Sequence, residues 1–153
     1  MLDFDDAELT LITLLSEVGT IEQIARSKLN SALPGNLNIS NFALLNHFSR
    51  RKDEKTPLQL AKTFNVTKGA MTNTLNKLEK LGFIHIRPDW EDARKKLVSI
   101  SQSGIDARNN SMKMIKPLLN EIISNTNSTN ERELLTELRK FREQVENSFI
   151  KTR

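Results

Sequence analysis

The chain has 153 residues, enough for one domain with an assembly extension, and 27% of them are charged against 37% hydrophobic. Its 5 glycines and 4 prolines are too few for a turn-rich β architecture, and the lack of cysteine excludes disulfides, thiolate metal sites and thiol redox chemistry. The net charge of +4 hides an uneven spread: two basic and six acidic side chains in residues 1–49, twelve and six in 50–96, nine and seven in 97–153. A basic middle third between less basic ends suits a polyanion-binding module flanked by segments with another task, although an ordinary solvated basic face has the same charge signature.

The acidic start, Asp3, Asp5, Asp6 and Glu8, is unlike a signal peptide, and no apolar run is long enough to span a bilayer. The expectation is a cytoplasmic protein with no membrane contact. His47 and His85 show no metal-ligand spacing, no nucleophile stands near a base, and no glycine-rich phosphate loop is present. Neither a metal, nor a cofactor, nor an enzymatic activity is expected.

From Asp5 or Asp6 to Pro34, the residues Leu11, Leu14, Leu15, Val18, Ile21, Ala25 and Leu29 recur at helical spacing and predict one long amphipathic helix. A shorter helix is predicted next, with Ser40 as its N-cap and Phe42, Leu44, Leu45 and Phe48 on its apolar side. It ends in the run Arg50-Arg51-Lys52, read as solvated rather than as a binding patch. Thr56-Pro57 then supplies a capping hydroxyl followed by a residue already fixed at helical φ.

That third helix carries Leu58, Leu60, Ala61 and Phe64, breaks at Asn65-Val66, and is followed by a fourth capped by Thr67 and stopped at Gly82. The fourth helix should bury Ala70, Met71, Leu75, Leu78 and Leu81 and present Lys68, Gly69, Thr72, Asn73, Asn76 and Lys77 on its free side. Two short helices joined by a tight turn, the second polar and basic on its free side, make a helix-turn-helix. Residues 83–87 and 97–100 alternate like half-buried strands around the polar stretch 88–96, which predicts a projecting hairpin, or wing, with Trp90 read as packed at its base against the alternative of a ligand or DNA contact.

A helix starting near Ser101 or Ser103 carries Met112, Ile115, Leu119, Ile122 and Ile123, and an Asn/Ser/Thr-rich break follows at 124–130. The terminal helix bears Leu134, Leu138, Phe141, Val145 and Phe149 at near-heptad spacing. One small domain has little core left for that stripe to face, so it reads as a dimer seam with the long N-terminal helix as its partner. No internal repeat is evident. The expected fold is mainly α, in the order helix, helix, helix-turn-helix, strand, wing, strand, helix, helix.

This order resembles the multiple antibiotic resistance regulator (MarR) family over essentially the whole chain. The most specific stretch is Gly82-Phe83-Ile84-His85-Ile86-Arg87-Pro88, then Asp92-Ala93-Arg94, then residues 97–104: helix stop, strand, D-x-R wing, strand and serine-initiated helix. The resemblance implies a single domain over 1–153, with a winged helix-turn-helix DNA-binding lobe at 56–100 and dimerisation helices at 1–33 and 101–153. It implies a homodimeric, sequence-specific transcription regulator on a pseudo-palindromic double-stranded operator, a repressor released by a small aromatic effector.

By the same resemblance the helix Thr67–Leu81 lies in the major groove, with Thr67, Lys68, Gly69, Thr72, Asn73, Asn76 and Lys77 toward DNA. Arg94 enters the adjacent minor groove, Asp92 holds that arginine or the wing backbone, and Lys95 and Lys96 meet phosphates. Asn73 departs from the arginine carried by many relatives; an amide suits adenine where arginine suits guanine. Phe42, His47 and Phe48 are the effector-site candidates, against the reading that all three are core or interface. The alternative function is a winged helix that binds a protein and no specific DNA; the basic middle third argues against it.

Overall fold

The structure, a computed structural model, describes residues 4–51, 53–126 and 130–150. Asp3, Lys52 and positions 127–129 of the polar break lie outside the described residues. Six helices and one hairpin follow in the order α1 (Asp6–Ala32), α2 (Ile39–Arg50), α3 (Pro57–Thr63), α4 (Lys68–Lys80), β1 (Ile84–Pro88), β2 (Lys96–Ile100), α5 (Gln102–Asn125) and α6 (Glu131–Ile150). They fall into two compact units, residues 1–118 and 119–153, the division lying within α5.

Local chemistry sets most of the boundaries. Asp5 caps α1 reciprocally with Glu8, and Thr56 caps α3 reciprocally with Gln59 ahead of Pro57. The expected cap of α2, Ser40, is instead a residue inside the helix. Asn38 is the N-cap, its Oδ1 accepting from the Asn41 N–H while Asn41 Oδ1 accepts from the Asn38 N–H. Asn38 has Asn41 three residues on to close the reciprocal pair, whereas Ser40 has Ala43 there, and Asn41 is itself buried. Asn65 takes the turn of the helix-turn-helix at φ 49°, a left-handed conformation that asparagine tolerates better than most residues.

The end of α4 is a Schellman motif, with the Gly82 N–H bonded to Glu79 O at 2.9 Å and the Phe83 N–H to Leu78 O at 2.9 Å. Gly82 sits at φ 71° there, which is why a glycine is needed. Strands β1 and β2 pair antiparallel, Ile84 with Ile100 through Pro88 with Lys96. Lys55, just before α3, adds a bridge to the outer side of β2: its N–H reaches Val98 O at 3.2 Å and its carbonyl accepts from the Val98 N–H at 2.9 Å.

The core of the first unit joins α2, the helix-turn-helix and the wing base through Leu44, Leu45, Phe48, Leu60, Met71, Leu75, Leu78, Ile84 and Val98. Ala70, expected in this core, is exposed. It lies one residue before Met71 and so about 100° round the helix from the buried side. Ser101 fastens α5 to this body. Its hydroxyl donates to Gly82 O at 2.6 Å and accepts from the Gly104 N–H at 3.0 Å, and its N–H reaches Phe83 O at 3.0 Å.

Helix α1 buries no residue within the chain. In the second unit, α6 leaves Leu134, Leu135, Leu138 and Phe149 exposed. No described helix is long and apolar enough to cross a membrane.

Candidate nucleic-acid interface

Helix α4 buries Met71, Leu75 and Leu78 and leaves Lys68, Gly69, Thr72, Asn73, Asn76 and Lys77 exposed. The Thr67 hydroxyl accepts from the Ala70 N–H at 3.2 Å, holding the start of the helix. Thr72 spends its own hydroxyl on Lys68 O at 2.9 Å, within the helix. A cavity of about 430 Å³ opens between this helix, the start of α3 and the wing. Lys68, Thr72 and Asn76 line one wall, Thr56, Pro57, Leu58 and Ile86 the floor, and Arg94, Lys95 and Lys96 the other wall. Seven of the residues singled out in the sequence thus stand around one groove or beside it, counting Asn73 on the adjacent exposed turn of α4.

The electrostatics of the groove are one-sided. Among the described residues, Lys68, Lys77, Arg94 and Lys96 have no acidic partner within ion-pair distance. Lys95 pairs at 3.4 Å with Asp92, half exposed and easily exchanged for a stronger anion. Asp92 Oδ1 accepts from the Arg94 N–H at 3.1 Å. Of the two roles expected for Asp92, the structure has the second: it holds the wing backbone, and the Arg94 guanidinium is left exposed toward solvent.

Trp90 is not at the hairpin base. It is 86% exposed, and its contact is with Arg87, whose guanidinium carbon lies 5.5 Å from the ring centroid. Pro88 and the Asp89 turn carry the chain outward before Trp90, beyond the reach of the core. Arg87 is in turn fixed by Glu54: Nε donates to Oε1 at 3.0 Å, Nη2 pairs with Oε2, and Nη1 donates to Pro88 O at 3.0 Å. The two partners are 33 residues apart, and no local sequence signal marks the pair.

The effector candidates occupy different surroundings. Phe42 and Phe48 are both buried. His47 touches the Phe48 and Phe64 rings edge-on at 5.8 and 5.5 Å, and its Nε2 is buried with no hydrogen-bond partner. Burial holds its pKa below the usual 6.5, aided by Arg51 and Lys55 and opposed by Asp53. A separate cavity of about 520 Å³ is lined by Phe48, Ser49, Asp53, Ser99, Ile100, Ile105, Arg108 and Asn109, and by neither Phe42 nor His47. Arg108 is oriented there by neutral groups, Nε and Nη2 on Asn46 Oδ1 and Nη1 on Asn109 Oδ1. Neither Ser49 nor Arg108 had been singled out, since a lone serine and a lone arginine on helices carry no pattern. Among the described residues no cluster of His, Asp or Glu could hold a metal ion.

No curated protein sequence matches the chain. The transcriptional regulator BldR from Sulfolobus solfataricus superposes with a TM-score of 0.80 at 25% identity, over 92% of this chain and 99% of its own. A mutant of MarR from E. coli complexed with operator DNA superposes at 0.71 with 24% identity, over 92% and 99%. NMB1585, a MarR family regulator from Neisseria meningitidis, reaches 0.71 at 16% identity, over 94% and 99%. The MarR family model matches residues 36–95, which run from α2 through both helices of the helix-turn-helix to the wing tip. That sequence match at the lobe and the shared fold around it make the chain similar to the MarR family of winged helix-turn-helix proteins.

Proposed function

We propose that the chain is a cytoplasmic, homodimeric transcription regulator that binds a pseudo-palindromic double-stranded operator and represses until a small aromatic effector releases it. Its similarity to a family of regulators supports a role without catalysis. The observation that carries the DNA reading is the groove between α4 and the wing: basic side chains without acidic partners beside the polar, exposed Thr72, Asn73 and Asn76. Lysines and arginines in such a place displace counterions from phosphates, and the amides read base edges. The MarR structure with operator DNA supports the reading through the shared fold.

The dimer reading rests on α1. Leu9, Ile12 and Ile24 lie on the side of the helix opposite Leu11, Leu14, Val18 and Ile21, and all are 39–63% exposed. A helix with exposed apolar residues on more than one side needs cover there, and such unpartnered apolar surface is uncommon on a monomer. A second copy supplies matching stripes by symmetry. The effector reading retains Phe48, at the wall of the cavity beside Arg108. His47 stays in the reading only through its contact with the Phe48 ring, and Phe42 drops out of the cavity's lining.

Genomic footprinting with purified protein, followed by binding isotherms on the protected sites at several salt concentrations, tests the function. The expected result is a two-fold symmetric footprint with half-sites about 34 Å apart and an affinity that falls steeply with salt. Absence of any protected site, or binding to duplex that ignores salt, refutes it.

A further inference from the structure

We propose that Trp90 is a second DNA contact on the wing, lying against the sugar–phosphate backbone on the far side of the groove that Arg94 enters. The inference rests on the DNA-binding reading above and adds a residue and a strand to it. An indole left 86% exposed is unusual on a hairpin whose tip is otherwise mostly charged. The Arg87 guanidinium stands over one face of the ring, its carbon 5.5 Å from the centroid, and the ring is otherwise open to solvent.

Arg87 is largely committed within the lobe, because Glu54 and the Pro88 carbonyl take three of its five N–H donors and Glu54 balances its charge. It acts as a neutralised, rigid platform that holds the indole outward. Strand alternation then decides which side of the wing the platform occupies. Ile86 lines the groove shared with Thr72 and Lys68, so Arg87, the next residue of β1, faces the opposite side of the hairpin.

A hairpin tip seated in a groove is flanked by two backbones. Lys95 and Lys96 stand on the recognition-helix side, and Trp90 stands on the other. Its flat apolar face fits a deoxyribose, and its Nε1–H is a donor for a phosphate oxygen. The neighbouring carboxylates of Asp89 and Asp92 are turned back onto the Glu91 and Arg94 N–H groups, and Asp92 is also paired with Lys95, so the acids of the tip are partly drawn away from the contact.

Trp90 is the chain's only tryptophan, which makes its emission an unambiguous reporter. The full-length protein is titrated at low salt with a duplex of about 30 base pairs of arbitrary sequence, long enough for both lobes. Binding is followed separately by anisotropy of a fluorescein-labelled copy of the same duplex. Acrylamide quenching of Trp90 should fall several-fold in the saturated complex. Trp90→Ala, checked for an unchanged melting temperature, should weaken binding about tenfold, about 1.4 kcal/mol. The salt slope should not change, because an uncharged contact releases no counterion. If the duplex binds but Trp90 stays as accessible as in the free protein, or if Trp90→Ala binds as tightly as the parent, the contact is wrong and the DNA reading stands. If no duplex binds at low salt, both fall.

Discussion

Replacing Gly104 by alanine should unfold the junction between the wing base and α5. A Cβ at this position would stand 2.0 Å from the Phe83 carbonyl oxygen, 2.9 Å from Ile100 Cγ1 and 3.0 Å from the Phe83 carbonyl carbon. Two of these atoms are backbone, so relief requires α5 and the β1 approach to separate by about 1 Å. Ser101 holds the two together through Gly82 O at 2.6 Å and Phe83 O at 3.0 Å, and a shift of that size breaks one or both bonds. Overpacking costs about 1–3 kcal/mol, and each lost bond adds about 0.5–1.5 kcal/mol. The total, about 1.5–6 kcal/mol, is a large share of the roughly 5–15 kcal/mol that keeps a protein folded. Gly19→Ala is the control: nothing lies within 4 Å of its Cβ position, and alanine in a helix interior should gain about 0.5–1 kcal/mol. Urea unfolding followed by circular dichroism at one fixed protein concentration measures both. A Gly104→Ala protein within about 0.5 kcal/mol of the parent would refute the steric argument.

The remaining predictions concern the groove, the seam and the buried imidazole. Lys95→Ala should weaken binding to all duplexes and lower the salt slope by about one, whereas Asn73→Ala should lose about 1–3 kcal/mol of discrimination at one base position per half-site, both read from isotherms on single-base variants. Arg94→Ala should weaken mainly operators with A·T-rich flanks, and equal losses on G·C-rich flanks would remove the minor-groove role. Leu138→Glu places a charge in the α6 stripe and should raise the dimer dissociation constant by 1,000-fold or more, about 4 kcal/mol, in sedimentation; a dimer that persists at micromolar concentration excludes α6 from the seam. His47 has a folded pKa below its ordinary 6.5, so the unfolded chain takes up its proton first. Its stability contribution is complete above 6.5 and is lost as pH falls through the lower folded value, and His47→Gln should flatten that part of the stability profile.

Helix starts were legible where the cap is an acid or is followed by proline, as with Asp5 and Thr56, because that chemistry is local. Asn38 was missed in favour of Ser40 because both are good caps and only the identity of residue 41 separates them. The exposed side of α4 and the hairpin followed from periodicity, and the wing tip from its lack of any. What periodicity could not show were pairings between distant segments. Glu54 with Arg87, Asn46 with Arg108 and Ser101 with Gly82 bring together residues that nothing in their own neighbourhoods marks. Trp90 went the wrong way for a related reason: hydrophobicity argues for burial, and only the reach of the backbone at Pro88 shows that no core is within range.

The bridge between Lys55 and Val98 has a consequence for how such a lobe can diversify. Both of its bonds run between main-chain atoms, so neither depends on which side chains stand at the two positions. The angle of the hairpin against the start of α3 is therefore insulated from drift in residues 89–95, which can change charge, length of side chain or aromatic content freely. Such a scaffold lets the tip be rewritten for a new partner sequence while its mounting stays unaltered, and grafting a foreign tip between Pro88 and Lys96 is the engineering counterpart of that freedom.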